Sequence, residues 1–397
     1  MTSTASSPTA GWSARRVEEL LAGDHAARRL ALDQRYAALD DVLDGRRAAV
    51  VYPAARLGRH AAAALRARGA RVVALGDRDP AFTGQDLDGL PVLSPVAIAE
   101  KHADAAVLVA STMHDSAIRR ELTSLGCATV VPVGYLNLRL PDVFPAREYD
   151  GAWAVASDPD RRTDILRAFA LLGDEASRRV FAARLAFFLS LDKGHLDEQR
   201  SAGPMYFDRS VFSLKDDEVV ADGGAFTGDT MTEFLRICDG RFRGYVAFEP
   251  DAASYAALAR LAAADTERIV TVAAGLGDSP GPRRLSGTAA ADSHVLAPGE
   301  PGGDLIDVVS LDDYFQDKPS PTLIKLDIEG EEAAALRGGS GILRHDRPVL
   351  AVSAYHHPAD LWSLPLLISR LMPDAPLYLR HYGEEIDDTV CYAVPRA

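Results

Sequence analysis

One stretch, Glu218 to Pro250 (EVVADGGAFTGDTMTEFLRICDGRFRGYVAFEP), limits what this chain can fold into more than any other. Val219, Val220 and Ala221 make a short apolar run that stops on Asp222, the pattern of a buried parallel strand. Gly223, Gly224 and Gly228 follow, and a helical pattern runs from Thr230 to Ile237. Glycines at a strand-to-helix turn let a ligand approach the backbone, and the helix N-terminus offers unpaired N–H groups. A second apolar run, Tyr245 to Phe248, ends on Glu249, 21 residues after Gly228. An acid at the tip of the neighbouring strand can accept hydrogen bonds from both ribose hydroxyls. Strand, glycine turn, helix, strand and acid predict a nucleoside-binding βαβ unit.

The turn discriminates between nucleosides. A dinucleotide site would show G-x-G-x-x-G, whereas here Asp222-Gly-Gly-Ala-Phe-Thr-Gly228 places an acid at the strand end. That acid would repel a pyrophosphate and suits the ammonium of a methionyl group. The reading therefore favours S-adenosylmethionine (SAM) over NAD.

Further motifs follow in order: SLDDYF (310–315), IKLDIEGEE (324–332), SAYHHPADLW (353–362) and LRHYGEEIDDTVCYAVP (379–395). Together with ADGGAFTGDT and AFEP they resemble the FkbM family of SAM-dependent methyltransferases from about Tyr206 to Pro395. The resemblance implies a class I methyltransferase sheet and O-methylation of a sugar or natural product. The cofactor-binding candidates are Tyr206, Asp222, Gly223, Gly224, Ala225, Thr227, Gly228, Asp229, Thr230, Glu249 and Pro250. Tyr206 is among them because an aromatic face attracts a sulfonium.

At 397 residues, two domains are the prior expectation. A net charge of -14 argues against nucleic acid or an anionic membrane as partner. Cys127, Cys238 and Cys391 form no C-x-x-C pair, so neither a disulfide framework nor a zinc site is expected. With no signal-peptide pattern and no run of 18 apolar residues, a soluble cytoplasmic protein is expected. A small-molecule acceptor is the expected partner, and a homodimer is left open.

Residues 1–44 read as a polar tail, disordered over Met1 to Gly11, followed by helix that Gly23-Asp24 divides. Residues 45–140 read as a smaller Rossmann-like α/β domain, with strands at 48–52, 71–75, 105–110 and 129–132 and helices at 57–68, 95–101 and 115–125. Its first turn, Pro53-Ala-Ala-Arg-Leu-Gly58, replaces two fingerprint glycines, although Asp77 sits where a ribose-binding acid would. It resembles the nucleotide-sugar-associated domains found beside FkbM modules, and an ancillary role is expected. Residues 141–202 read as linker and two helices, Thr163–Leu172 and Asp174–Leu191. By the same resemblance, residues 203–397 are expected to form the methyltransferase domain: an α/β sheet with an antiparallel closing hairpin at 376–380 and 390–395. Ser279 to Asp304 reads as a flap with short strands near Arg283–Leu285 and Asp292–Val295, and Ser363 with Pro365 marks a helix start.

In an open α/β sheet, ligands sit outside the carboxyl ends of the strands. Asp222, Glu249, Asp327 and His356 all fall at such ends. Asp327 and His356 are the catalytic candidates: Asp327 to hold the acceptor hydroxyl, and His356 to remove its proton with a pKa near 6–7. Glu329, Tyr355, His357 and His381 are the substrate-binding candidates, with His356 and His381 expected to be exposed at the pocket edge. Glu329 and Glu331 also read as partners of a helix dipole, and His357 as a helix cap. No metal is assigned, because D-x-E beside a histidine is too common a pattern. Two other readings are an NAD(P)-dependent oxidoreductase using the first domain and a non-catalytic nucleotide-sugar-binding protein.

Overall fold

The computed structural model describes residues 12–145, 152–286, 295–296, 302–383 and 386–396. Its first sheet comprises β1 (Ala49–Tyr52), β2 (Val72–Gly76), β3 (Asp86–Leu87), β4 (Leu90–Leu93), β5 (Ala106–Val109) and β6 (Thr129–Val131). They lie in the order β3-β4-β2-β1-β5-β6, parallel apart from the β3–β4 hairpin. The strand β4 was expected to be loop. Its four residues include Pro91, too short a run to read as a strand, and pairing with β2 is what makes it one.

The second half carries β7 (Val219–Gly223), β8 (Gly244–Phe248), β9 (Ile269–Val272), β10 (Gly275–Leu276), β11 (Gly281–Leu285), β12 (Asp304–Val309), β13 (Leu323–Leu326), β14 (Val349–Ser353), β15 (Leu377–His381) and β16 (Thr389–Ala393). Seven of these form one sheet in the order β15-β16-β14-β13-β7-β8-β9. Only β16 runs antiparallel, inserted between β14 and β15, as the expected closing hairpin requires. Strands β7, β13 and β14 are buried almost throughout, which explains their continuous apolar runs. The remaining three form a small sheet, β10-β12-β11. The flap is therefore partly a hairpin of β11 against β12, a strand not foreseen, because only Ile306 and Val308 on its inner face are buried. Val295 bridges to Leu285, while the rest of the expected 292–295 strand lies outside the described residues, as does Met1 to Gly11.

Between the sheets along the chain, helices Arg162–Ala170 and Glu175–Ser190 fall where two helices were expected, and both bury side chains in the core. Asp174 caps the second, accepting from the Ser177 N–H at 2.8 Å. Its Phe181, Phe187 and Phe188 are buried, each contributing roughly 1.5–3 kcal/mol of burial. One hydrophobic cluster runs from Val17 through these helices to Ala393, joining both sheets. The last helix, Asp360–Leu371, starts before the expected point, so Pro365 lies in its second turn. No helix of the described residues is long and apolar enough to cross a membrane.

Candidate active site

The carboxyl ends of β7, β8, β13 and β14 open on a cleft of about 550 Å³, a size that suits a small ligand. The small sheet walls it on the far side with Leu285, Ile306 and Val308. Of the expected cofactor residues, Tyr206, Gly224, Asp229, Thr230, Glu249 and Pro250 line it. Gly223, Ala225 and Gly228 are buried behind it, and Thr227 is exposed outside the lining. Gly224 is fixed by its own surroundings: φ is +72°, and an added Cβ would stand 1.9 Å from the Asp327 carbonyl oxygen. The turn and the β13 end thus touch backbone to backbone.

Glu249 sits just past β8 and is 7% exposed. Its Oε2 accepts from the Phe226 N–H and its Oε1 from the Asp251 N–H, both at 2.8 Å. A carboxylate has about four acceptor positions, so roughly two stay open to ribose hydroxyls. Burial pushes its carboxyl up from the ordinary value.

Asp222 does not line the cleft. It was expected to meet the cofactor's ammonium, but it is fully buried. In register it lies beside Lys325, whose Nζ is 2.9 Å from Asp222 Oδ1, and the Tyr245 hydroxyl donates to Oδ2 at 2.6 Å. The same Nζ donates to the carbonyls of Gly223 (3.1 Å) and Gly224 (2.8 Å). Burial pushes the Lys325 ammonium down, but Asp222 and Asp327 outweigh it and hold its pKa above the usual value. Lys325 lines the cleft and stands 5.3 Å from the Tyr206 ring centre, so that ring faces the protein's own cation. Sequence reading missed Lys325. The available signal was a lysine inside the apolar run Leu323–Leu326, since buried lysines are paired.

Asp327 is the centre of the polar network. Tyr206 donates its hydroxyl to Oδ2 at 2.9 Å and Tyr355 to Oδ1 at 2.7 Å. Burial pushes the carboxyl up, while Lys325, His356 and the Tyr355 hydrogen bond hold it below the ordinary value. Glu329 reaches the cleft from a left-handed residue (φ +57°).

His356 lines the cleft but its side chain is only 6% exposed, against the expectation of an exposed base. Its Nε2 is 3.5 Å from Asp327 and 3.8 Å from Glu329, and its Nδ1 is 2.9 Å from Glu332. Burial pushes the imidazole down, but these carboxylates, Glu332 first, raise it to about 9. Without another ligand it is a cation at neutral pH, not the neutral base expected. His381 is also corrected: it lies on β15, 1% exposed, outside the cleft, with Nδ1 3.0 Å from Thr389 Oγ1. His357 is exposed outside the lining. Its backbone N–H donates to Asp360 at 2.8 Å, so the carboxylate, not the imidazole, closes the helix start.

A parallel sheet with one reversed strand inserted beside its end, opening on a cleft tipped by acids, defines a Rossmann-like methyltransferase fold. Residues 222–386 match the family model described as the methyltransferase FkbM domain, and the chain is a methyltransferase. The crystal structure of methyltransferase FkbM from Methylobacillus flagellatus aligns with a TM-score of 0.70 at 23% identity, over 93% of this chain and 100% of that one. An rRNA methylase from Streptococcus thermophilus aligns over 45% of this chain and 87% of that one (16% identity, TM-score 0.29). Fibrillarin from Aeropyrum pernix with natively bound S-adenosyl-L-methionine aligns over 46% and 69% (12% identity, TM-score 0.29). No curated protein matches the sequence.

Proposed function

We propose that the chain uses SAM to methylate a hydroxyl of a small sugar-containing or other secondary metabolite. The observation that carries this reading is Glu249: a buried carboxylate at the second strand tip, with acceptor positions left over, on the same cleft as Asp327. SAM bound there supplies a methyl group on a sulfonium, which leaves as a neutral thioether. Glu249 then accepts from the ribose hydroxyls, and the helix Asp229–Cys238 presents its N-terminus to the cleft through Asp229 and Thr230. Asp327 accepts from the acceptor hydroxyl, and the Tyr206 and Tyr355 hydroxyls keep its carboxylate from rotating. Holding the hydroxyl in line contributes up to ~7–11 kcal/mol to the barrier reduction in favourable cases.

The lining also bears on the acceptor. Among the described residues, eight carboxylates face the cleft against Lys325 and His356, and Lys325 is already paired. That balance favours an uncharged or cationic acceptor over a phosphorylated one or a nucleic acid. The oxidoreductase reading loses support at the first turn, where Pro53, Ala54 and Ala55 stand in place of the glycines that let a pyrophosphate approach the backbone.

Calorimetry with S-adenosylhomocysteine tests the reading. Wild type should bind it, and Glu249→Ala should bind at least tenfold more weakly, because hydrogen bonds to a charged group contribute ~1.5–3 kcal/mol each. Wild-type affinity in Glu249→Ala would remove the assignment. Transfer of labelled methyl to neutral glycosides, but not to sugar phosphates, is the expected acceptor pattern.

A further inference from the structure

The His356 ring is surrounded by more negative charge than it can balance. Asp327, Glu329 and Glu332 all lie within 4 Å of its nitrogens. Nδ1 is 2.9 Å from Glu332 Oε1, an ion-pair distance, yet it makes no hydrogen bond of regular geometry. A buried ring nitrogen aimed among carboxylate oxygens without a hydrogen bond fits a ligating imidazole. One oxygen each from Asp327 and Glu332 and one nitrogen of His356 lie within 4.8 Å of one another. Cation–ligand distances of about 2.0–2.2 Å put all three within reach of one ion after small side-chain shifts.

The surroundings also fit. Ligands of a built metal site are held by hydrogen bonds from outside it. Here Tyr206 and Tyr355 hold Asp327, and the Ile328 N–H donates to Glu332 at 2.8 Å. Asp327, Glu329 and His356 face the cleft, so the site is open on that side. From these features we infer that Asp327, Glu332 and His356 form a divalent-cation site on the cleft wall. Two carboxylates and one imidazole suit Mn²⁺ or Mg²⁺ better than a soft, thiolate-seeking metal. On the proposed reaction, which supplies only its purpose, the ion polarises the acceptor hydroxyl and lowers its pKa. A second hydroxyl on the acceptor's neighbouring carbon would then be favoured, since it can chelate the same ion.

The test is a titration of chelator-treated full-length protein with Mn²⁺, reading free ion by electron paramagnetic resonance. Wild type should bind one Mn²⁺ per chain, and Glu332→Gln and Asp327→Asn should each bind at least tenfold more weakly. S-adenosylhomocysteine calorimetry on the same samples should change by less than threefold, showing that the cofactor end is intact. His356→Gln replaces either variant that does not fold. No binding by wild type at millimolar Mn²⁺, or equal binding by wild type and variants, overturns the site. Failure of wild type to bind S-adenosylhomocysteine would overturn the proposed function while the Mn²⁺ result stood on its own.

Discussion

Asp77 and Glu249 occupy matching places in the two sheets, each just past the strand beside the first of its sheet. Each accepts one N–H from the turn after the first strand and one from the residue two positions on. The turns differ. In the first sheet the chain leaves β1 through Pro53, Ala54 and Ala55, and the acid is the shorter aspartate. In the second it leaves through Gly223 and Gly224, and the longer glutamate lines a cleft. An acid at the strand tip grips the turn in both, and turn chemistry with side-chain length decides whether it also faces a ligand. Glycine moves accordingly. The retained Gly58 lets the helix Arg56–Ala67 approach Pro53, where a Cβ would stand 1.9 Å from the Pro53 carbonyl. Gly224 plays the corresponding part between turn and strand end.

The largest contrast between the two edges should be in turnover. Asp327→Asn should lower methyl transfer by ~10²–10⁴-fold, the range for a lost acid–base contact, with S-adenosylhomocysteine binding nearly unchanged. Asp77→Asn should leave turnover within twofold. If the Asp77 variant loses activity comparably, the first sheet takes part in the chemistry and the contrast collapses.

The glycines come next. Gly58→Ala should destabilise the fold by ~1–3 kcal/mol through overpacking, without changing cofactor affinity per folded molecule. Gly224→Ala adds ~1–2 kcal/mol for its left-handed backbone and should weaken S-adenosylhomocysteine binding as well. Denaturant titration and calorimetry on both variants separate the two effects. Equal loss of affinity in both would mean the sheets are coupled.

A smaller effect is expected from His381. Burial, then Arg184, Lys193 and Arg200, depress its pKa to about 3. An unfolded chain's histidine titrates near 6.5, so this stability is present above pH 6.5 and is lost as pH falls toward 3. Melting temperature measured from pH 7 to 4 should fall, less steeply in His381→Asn. Parallel slopes would show that the imidazole is not held neutral.

The smallest expected effect is at the first sheet's edge itself. NADH at tens of micromolar should give no calorimetric signal, because the Pro53–Ala55 turn blocks close approach of a pyrophosphate. A micromolar dissociation constant there would equate the two edges.

Both βαβ patterns, their approximate boundaries, the acid-tipped strand ends and the closing hairpin could be read from the sequence. Local alternation and turn residues encode these directly, and parallel strands buried on both faces are apolar throughout. The sheet order, the β4 pairing and the β12 partner in the flap could not, since each depends on a neighbour distant along the chain. The same limit explains the side chains that were misread. Asp222 looked free until Lys325 arrived beside it from β13. His356 and His381 look alike in sequence, but one lies among carboxylates and the other near Arg184, Lys193 and Arg200, so their pKa values diverge to about 9 and about 3. A strand's own residues fix which way each side chain points, whereas burial and charge come from what packs against it, and only the tertiary structure decides that.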